Sequence, residues 1–566
     1  MTVKRLAVTA FAFAISITLG SPPASGAMPD KGRGPAELKP ATVEQISPWT
    51  GTAPSDDPSI TSGGTEPAIT DGDPEAHQRE KAAAVWGPAP TGAEKLVPSG
   101  AAGERSQIDA AVPVAFTVFD QPTTGGLAVP DTIVGKGPGR VLSAVNTAIR
   151  LTTDNGANLH FTTLNTFFGA TANGNVVDPK VYYDTLGPND RFYVTGIQVA
   201  GRDDADPAND VSRMWVAVSR NPAPTSLFSD QWCRYNLEGR RNIGTPDVSF
   251  ADRPEIGAGV DTFSFATNQF RFSNRGFTFS VIRVANKTTL SNNQFSCPNL
   301  SSFTFQPSST VGDSTRTNIG PAQHYTAPTS FPDVVNPAYF LSHNTGSGTQ
   351  YQVYRVRNLA SGAPTLATLV LTGASYGTPP SSPQPGSAVV IDTGGGRYDQ
   401  VAGIGNTVTG IFTTVCNFTA GTANESCTRT PRFLVGVGAG GSLTATFQEN
   451  TFAGYGDDIF AHHASIAMNS NLQVGSTWQF SGTGFFLGAE ARIKNTGGSW
   501  TGVSTYAGGS CSLPESVAGS GSARSGDYAG AHTDPVGLLS MWQAGEQAVT
   551  INGTCQWRVR AARLDP

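Results

Sequence analysis

RSGDYAGAHTDPVG, residues 524–537, decides the reading of this chain. A turn at Gly526 delivers Asp527 and Tyr528, and a strand of small residues follows in Ala529, Gly530 and Ala531. Asp534-Pro535 makes a polar turn, and Leu538 to Ala544 returns as a second strand, closing a hairpin. The same layout recurs upstream, opening at Asp131, Asp178, Asp247, Asp333, Asp399 and His463. Each has a polar entry, a short strand, a turn, and then a strand of alternating apolar residues. The openings are 47 to 86 residues apart. Four-stranded propeller blades run about 40–50 residues, so the extra length falls in loops. This repetition predicts an all-β chain folded as a β-propeller. Seven blades fit best, with six or eight as alternatives and a pair of β-sandwiches as the competing architecture.

Working outward, composition agrees with that class. There are 65 Gly and 39 Pro in 566 residues, and only 14% of residues are charged, which suits many hairpins. From Val112 onward Val, Phe, Thr and Tyr alternate with polar residues, and no long amphipathic helix is visible. Small inner-strand residues, such as Ala402, Gly403, Ala464 and Ala467, allow close approach around an axis. Trp215, Phe263, Trp478 and Trp542 supply bulk between blades. Val114 to Phe119 is placed beside Thr554 to Ala561, completing the last blade and removing a free edge. The net charge of −6 lacks the basic footprint that phosphate backbones require, which excludes nucleic acid as a partner.

Lys4 and Arg5 precede an apolar run from Leu6 to Leu19 and a small-residue site ending at Ala27. Residues 1–27 therefore read as a secretory signal, and no later apolar run is long enough to span a membrane. Residues 28–110 are rich in Pro, Gly and Ala without periodicity, and read as a disordered leader or linker. One or two helical turns at Gln78 to Trp86 are the exception. Residues 111–566 form the propeller domain, its start placed between Ser106 and Thr117. In an exported chain, six cysteines with no C-x-x-C pair predict three disulfides. The pairing expected is Cys233–Cys297, Cys416–Cys427 and Cys511–Cys555, each stabilising by roughly 3 kcal/mol.

Three stretches carry a resemblance: "DPKVYYD…RFYV…SRMWVAVS", "TPDVSFADRPEIGAG" and "RSGDYAGAHTDPVG…WQAGE". They resemble secreted bacterial β-propeller proteins of the broad sialidase-like superfamily, over residues 112–566. The resemblance implies an architecture and an extracellular or cell-wall location. The Asp-box S-x-D-x-G-x-T-W of sialidase repeats is missing, and GSTWQFSGTG at 475–484 keeps only part of it.

The chain holds no G-x-S-x-G, H-E-x-x-H, Walker A or EF-hand pattern. If the repeats are blades, their openings gather at one rim. Asp178, Asp247, Arg253, Asp399, His463 and Asp527 are then the ligand-binding candidates, with Asp333, Arg397 and Tyr398 nearby. Asp527, Tyr528 and Arg524 are the catalytic candidates. Paired carboxylates suit glycoside hydrolysis, and a Tyr beside an Arg suits a lyase base. The plainer reading is that these Asp residues cap turns. Asp457, Asp458 and His462 form the weak metal candidate. No cofactor is expected, with structural calcium as the open alternative. The function expected is a secreted module binding an extracellular glycan, polymer or surface protein. The alternative is a secreted glycoside hydrolase or polysaccharide lyase.

Overall fold

The computed structural model describes residues 37–50, 94–96, 111–120 and 129–566, apart from 171–173, 188, 201–209, 245–246, 292–295, 308–316, 332–333, 345, 419–423, 457 and 517–519. The expected helical turns at Gln78 to Trp86 lie outside the described residues, as do Asp333 and Asp457. Among the described residues the structure is nearly all β. Helix is confined to single turns such as Leu164–Phe168, and no helix is long and apolar enough to cross a membrane.

The strands pair in chain order as antiparallel meanders of four. They cover 133–163, 176–238, 247–305, 317–376, 398–454 and 459–507, and are called the first to sixth meanders here. A last meander takes three strands from 530–565 and its fourth from Ala111–Asp120, which runs antiparallel to Thr554–Asp565 with Phe116 opposite Ala561. That is the pairing the alternation at 114–119 predicts. The arrangement is consistent with a β-propeller.

The first strand of each meander is inner, and most are buried on both faces, as in Val176–Asp184 and Ile459–Met468. Sheets stacked face to face leave neither side to solvent, so alternation of exposure disappears there. Small residues make the approach feasible. A Cβ on Gly530 would sit 2.6 Å from the backbone nitrogen of Val134, so the last inner strand lies directly on the first. Gly257 likewise faces the Ala322 backbone, at 2.4 Å from its carbonyl oxygen. Aromatic bulk from the following strands fills the space between meanders: Trp215, Phe263, Trp478 and Trp542 are all buried.

Polar side chains bridge the inner strands. Gln400 donates to Gln323 Oε1 and to the Ala531 carbonyl, both at 2.8 Å, and accepts from Ser465. Tyr182 donates to the His324 carbonyl at 2.6 Å. Such bridges satisfy groups that burial would otherwise leave costly.

All three disulfides join the expected partners, Cys233–Cys297, Cys416–Cys427 and Cys511–Cys555. Part of the expected leader is structured. Thr42–Ile46 is a strand along the outer edge of Leu300–Phe305, and Glu94–Lys95 pairs in parallel with Ala453 and Gly454. The outermost strands of a twisted meander present unpaired backbone groups, and a short segment with matched alternation satisfies them. Both of these strands precede Ser106.

Candidate functional site

The site grows from one repeated irregularity. Near the start of several inner strands the register slips: between Val177 and Lys180, Asp252 and Glu255, Thr317 and Gly320, Tyr398 and Gln400, and His462 and Ser465. In four of these the slip carries a residue in the left-handed region, with φ of 50° at Asp178, 48° at Arg253, 47° at Asn318 and 46° at His463. Asp131, with φ 44°, precedes the first inner strand, and Gly526, with φ 107°, precedes the last. A bulge re-aims side chains and bends the strand. For an Arg or His the left-handed conformation costs about 1–2 kcal/mol, so the surroundings must hold it in place.

They do so by clasping neighbouring meanders. The backbone N–H of Asp178 donates to Asn146 Oδ1 at 2.6 Å, that of Asn318 to Asn268 Oδ1 at 3.0 Å, and that of His463 to Thr413 Oγ1 at 3.1 Å. The carboxylates work in the same sense. Asp131 Oδ1 accepts the Asp527 N–H at 2.5 Å, Asp178 Oδ2 the Arg253 N–H at 3.3 Å, and Asp399 Oδ2 the Ala464 N–H at 3.2 Å. Each of these bonds links two different meanders.

Onto this frame is built a network of paired charges. Arg253 Nη2 contacts Asp399 Oδ1 at 2.9 Å, with both side chains buried, and reaches the Asp527 carbonyl at 3.4 Å. Lys180 Nζ pairs with Glu255 Oε1 at 2.9 Å and lies 3.1 Å from the centroid of the Tyr528 ring. Arg524 Nη2 donates to Asp527 Oδ1 at 2.7 Å, and this pair is the accessible one, with side chains 17% and 32% exposed. Beneath the 524–527 turn, the fully buried Glu546 accepts from Thr132 Oγ1 at 2.9 Å. Arg524 is positioned from outside the meanders. It follows Ser522–Ala523, which pairs in parallel with Val390 and Ile391 in a small three-stranded sheet.

Burial and neighbours divide the carboxyls into two groups. Burial raises Asp131 well above the usual range, and the charges of Asp527 and Asp178 add to it. Asp178 is raised by burial and then by Asp252 and Asp527. Burial pushes Asp399 up to about 7 although Arg253 opposes it. Burial also raises Glu546, with Asp131 adding to it, and raises Glu255 against the pull of Lys180. Asp527 goes the other way: burial would raise it, but Arg524 and then Arg253 hold it below the ordinary carboxylate range. One ionised carboxylate therefore faces outward above carboxyls that favour the proton.

The structure brings together Asp178, Arg253, Asp399, Arg524 and Asp527 of the predicted set, together with Asp131. His463 joins at the edge, its Nε2 2.9 Å from the Asp392 carbonyl. Other candidates lie elsewhere. Asp247 begins the strand Asp247–Ala258, whereas the bulge of that meander lies at Arg253, six residues on. In the fourth meander the slip lies at Asn318. Tyr528 is fully buried and donates to the Pro179 carbonyl at 3.1 Å, and burial raises its phenol well above its ordinary value, so it is no exposed base. Tyr398 is buried against His343 and Phe412. Asp458 and His462 join no group of three or more metal-ligating side chains among the described residues. Lys180, Glu255 and Glu546 escaped the sequence reading. A signal for the first two was present: Asp178-Pro179-Lys180 and Arg253-Pro254-Glu255 share one spacing, and the third members pair with each other.

No family model matches the chain, and a search of curated proteins finds no match. Solved structures similar to it include a GH93 α-L-arabinofuranosidase of Fusarium graminearum, with 10% identity, TM-score 0.36, and coverage of 81% of this chain and 98% of that one. An α-L-arabinanase of Penicillium chrysogenum has 9% identity, TM-score 0.34, and coverage of 81% and 98%. A Trypanosoma rangeli sialidase has 10% identity, TM-score 0.32, and coverage of 65% and 54%.

Proposed function

We infer that this protein is a secreted, seven-bladed β-propeller that binds a neutral, hydroxyl-rich glycan at the rim where Arg524 and Asp527 sit. The observation that carries this reading is the partly exposed Arg524–Asp527 pair standing above a layer of charges already matched to one another. Sugar hydroxyls donate to a carboxylate and accept from a guanidinium, so such a pair suits a polyol. An anionic glycan fits poorly. Lys180 is paired with Glu255, Arg253 with Asp399 and Arg524 with Asp527, so none of these cations is left over for a carboxylate or sulfate. The blade count rests on the meanders between 133 and 565, the last completed by Ala111–Asp120. Export is supported by the disulfides, which persist in oxidising compartments, and by the signal-like residues 1–27.

The test is a glycan array run beside an activity screen on the secreted chain. Retention of neutral oligosaccharides without release of new reducing ends is expected. Binding of uronic-acid glycans in preference to neutral ones overturns the ligand class. Binding unchanged in Asp527→Asn removes the site.

One observation favours a second reading, glycan hydrolysis. Asp527 is lowered while the neighbouring Asp131 and Asp178 are raised, the opposed tuning that a general acid and its carboxylate partner need. Exposures of 1% at Asp131 and 7% at Asp178 weigh against it, because the acid must reach a leaving-group oxygen. Turnover that disappears in both Asp178→Asn and Asp527→Asn establishes this second reading.

A further inference from the structure

Residues 37–50 lie along the outer strands of three successive meanders. Leu38 exchanges two backbone hydrogen bonds with Leu366 of the fourth meander, at 2.8 and 3.0 Å. Ala41 N–H donates to the Thr304 carbonyl at 2.7 Å, and Thr42–Ile46 continues along the third meander in five registered pairs. Trp49 N–H then donates to the Arg234 carbonyl of the second meander at 2.7 Å. Its indole N–H donates to the Gly169 carbonyl at 3.2 Å, and its ring meets Trp215 edge-on at 5.5 Å.

The apolar residues of this segment seat in separate cores. Leu38 packs on the cluster around Phe340 and Leu366, Ile46 on the one around Phe263 and Leu300, and Trp49 on the one around Trp215 and Trp232. Charge is matched as well. Glu37 pairs with Arg357 and lies 3.9 Å from the buried Arg355. Glu44 lies 3.6 Å from Arg241 and 4.0 Å from the buried Arg283. Without the segment, three outer strands regain open edges and two buried guanidiniums lose their carboxylate neighbours.

We propose that these outer edges form a docking site whose occupant is the chain's own residues 37–50, and that the segment stays bound without its covalent link to the domain. The segment is then a permanent strap. A cut anywhere in 51–93 leaves a nicked assembly of two pieces, and the residues before the cut are not shed as a pro-segment would be. Nothing in this depends on the ligand at the rim.

The test uses the secreted full chain with a specific protease site inserted within 51–93. After complete cleavage, gel filtration in native buffer is expected to show the N-terminal fragment co-eluting with the body, and the two are expected to separate only in denaturant. A fragment that elutes alone while the body stays folded overturns the proposal. The double variant Trp49→Ala with Glu44→Lys, nicked in the same way, is expected to release the fragment at least about tenfold faster. Retention unchanged by that variant also overturns it, because the contacts named here would not be what holds the strap.

Discussion

Asp399 and Asp527 stand at the entries of two inner strands, and each is held by an arginine at less than 3 Å. They differ in where the arginine comes from and in what covers the pair. Arg253 reaches Asp399 from another meander, 146 residues away in sequence, and both side chains are nearly sealed. Arg524 reaches Asp527 from three residues upstream, and both remain partly open to water. The sealed carboxyl is pushed up to about 7, while the open one is held below its ordinary range. An arginine partner therefore does not by itself decide protonation. The balance between desolvation and the surrounding charges does.

The largest effect expected from this contrast is on stability. Arg253→Met removes the arginine from a buried carboxyl and should cost about 3–5 kcal/mol above about pH 7, where the paired Asp399 is ionised. Arg524→Met touches a partly exposed pair and should cost less than about 1 kcal/mol. Urea unfolding of both variants checks this, and similar losses at the two corners break the comparison. The Arg253→Met loss should also shrink as pH falls below about 7, where Asp399 takes up a proton.

Next comes binding. Asp527→Asn should weaken glycan affinity more than tenfold, above ~1.4 kcal/mol, while stability falls by about 1 kcal/mol or less. Asp399→Asn should leave affinity within about twofold, because its carboxylate faces Arg253 and the Ala464 N–H rather than solvent. Calorimetric titration and thermal melts on the same two variants sharpen the contrast. A binding loss confined to Asp399→Asn reverses it.

The smallest effect is the shape of the pH–stability curve. The folded-state pKa of Asp399 lies above its unfolded value of about 3.9. Its contribution is therefore full below that value and is lost as pH rises toward about 7. Asp527 is lowered, so its contribution is present above the unfolded pKa and is lost as pH falls below it. Melts between about pH 3 and 8 should show Asp399→Asn flattening the decline on the neutral side and Asp527→Asn flattening the decline on the acid side, with each slope at most about 1.4 kcal/mol per pH unit. Asp131 and Asp178 act in the same direction as Asp399, so Asp399→Asn removes only part of the neutral-side decline.

The sequence by itself determined the repeating strands, the polar entries at Asp131, Asp178, Asp399, His463 and Asp527, the disulfide partners and the return of 114–119 to the last meander. These are legible because strand alternation, turn residues and small inner-strand positions are local, and each meander is built mainly from pairings between neighbours in sequence. The tertiary structure alone decided that the bulges of two inner strands fall at Arg253 and Asn318. It also decided that Lys180 meets Glu255, that Tyr528 turns inward, and that residues 37–50 lie along the sheet edges. Each of those outcomes depends on which meanders touch and at what register, as when the Asp527 N–H meets Asp131 across 396 residues. A local pattern can mark a residue as polar and turn-forming. Whether it is buried against a partner or left facing water is set by the packing of distant strands, and here that packing seals Asp399 and leaves Asp527 partly open.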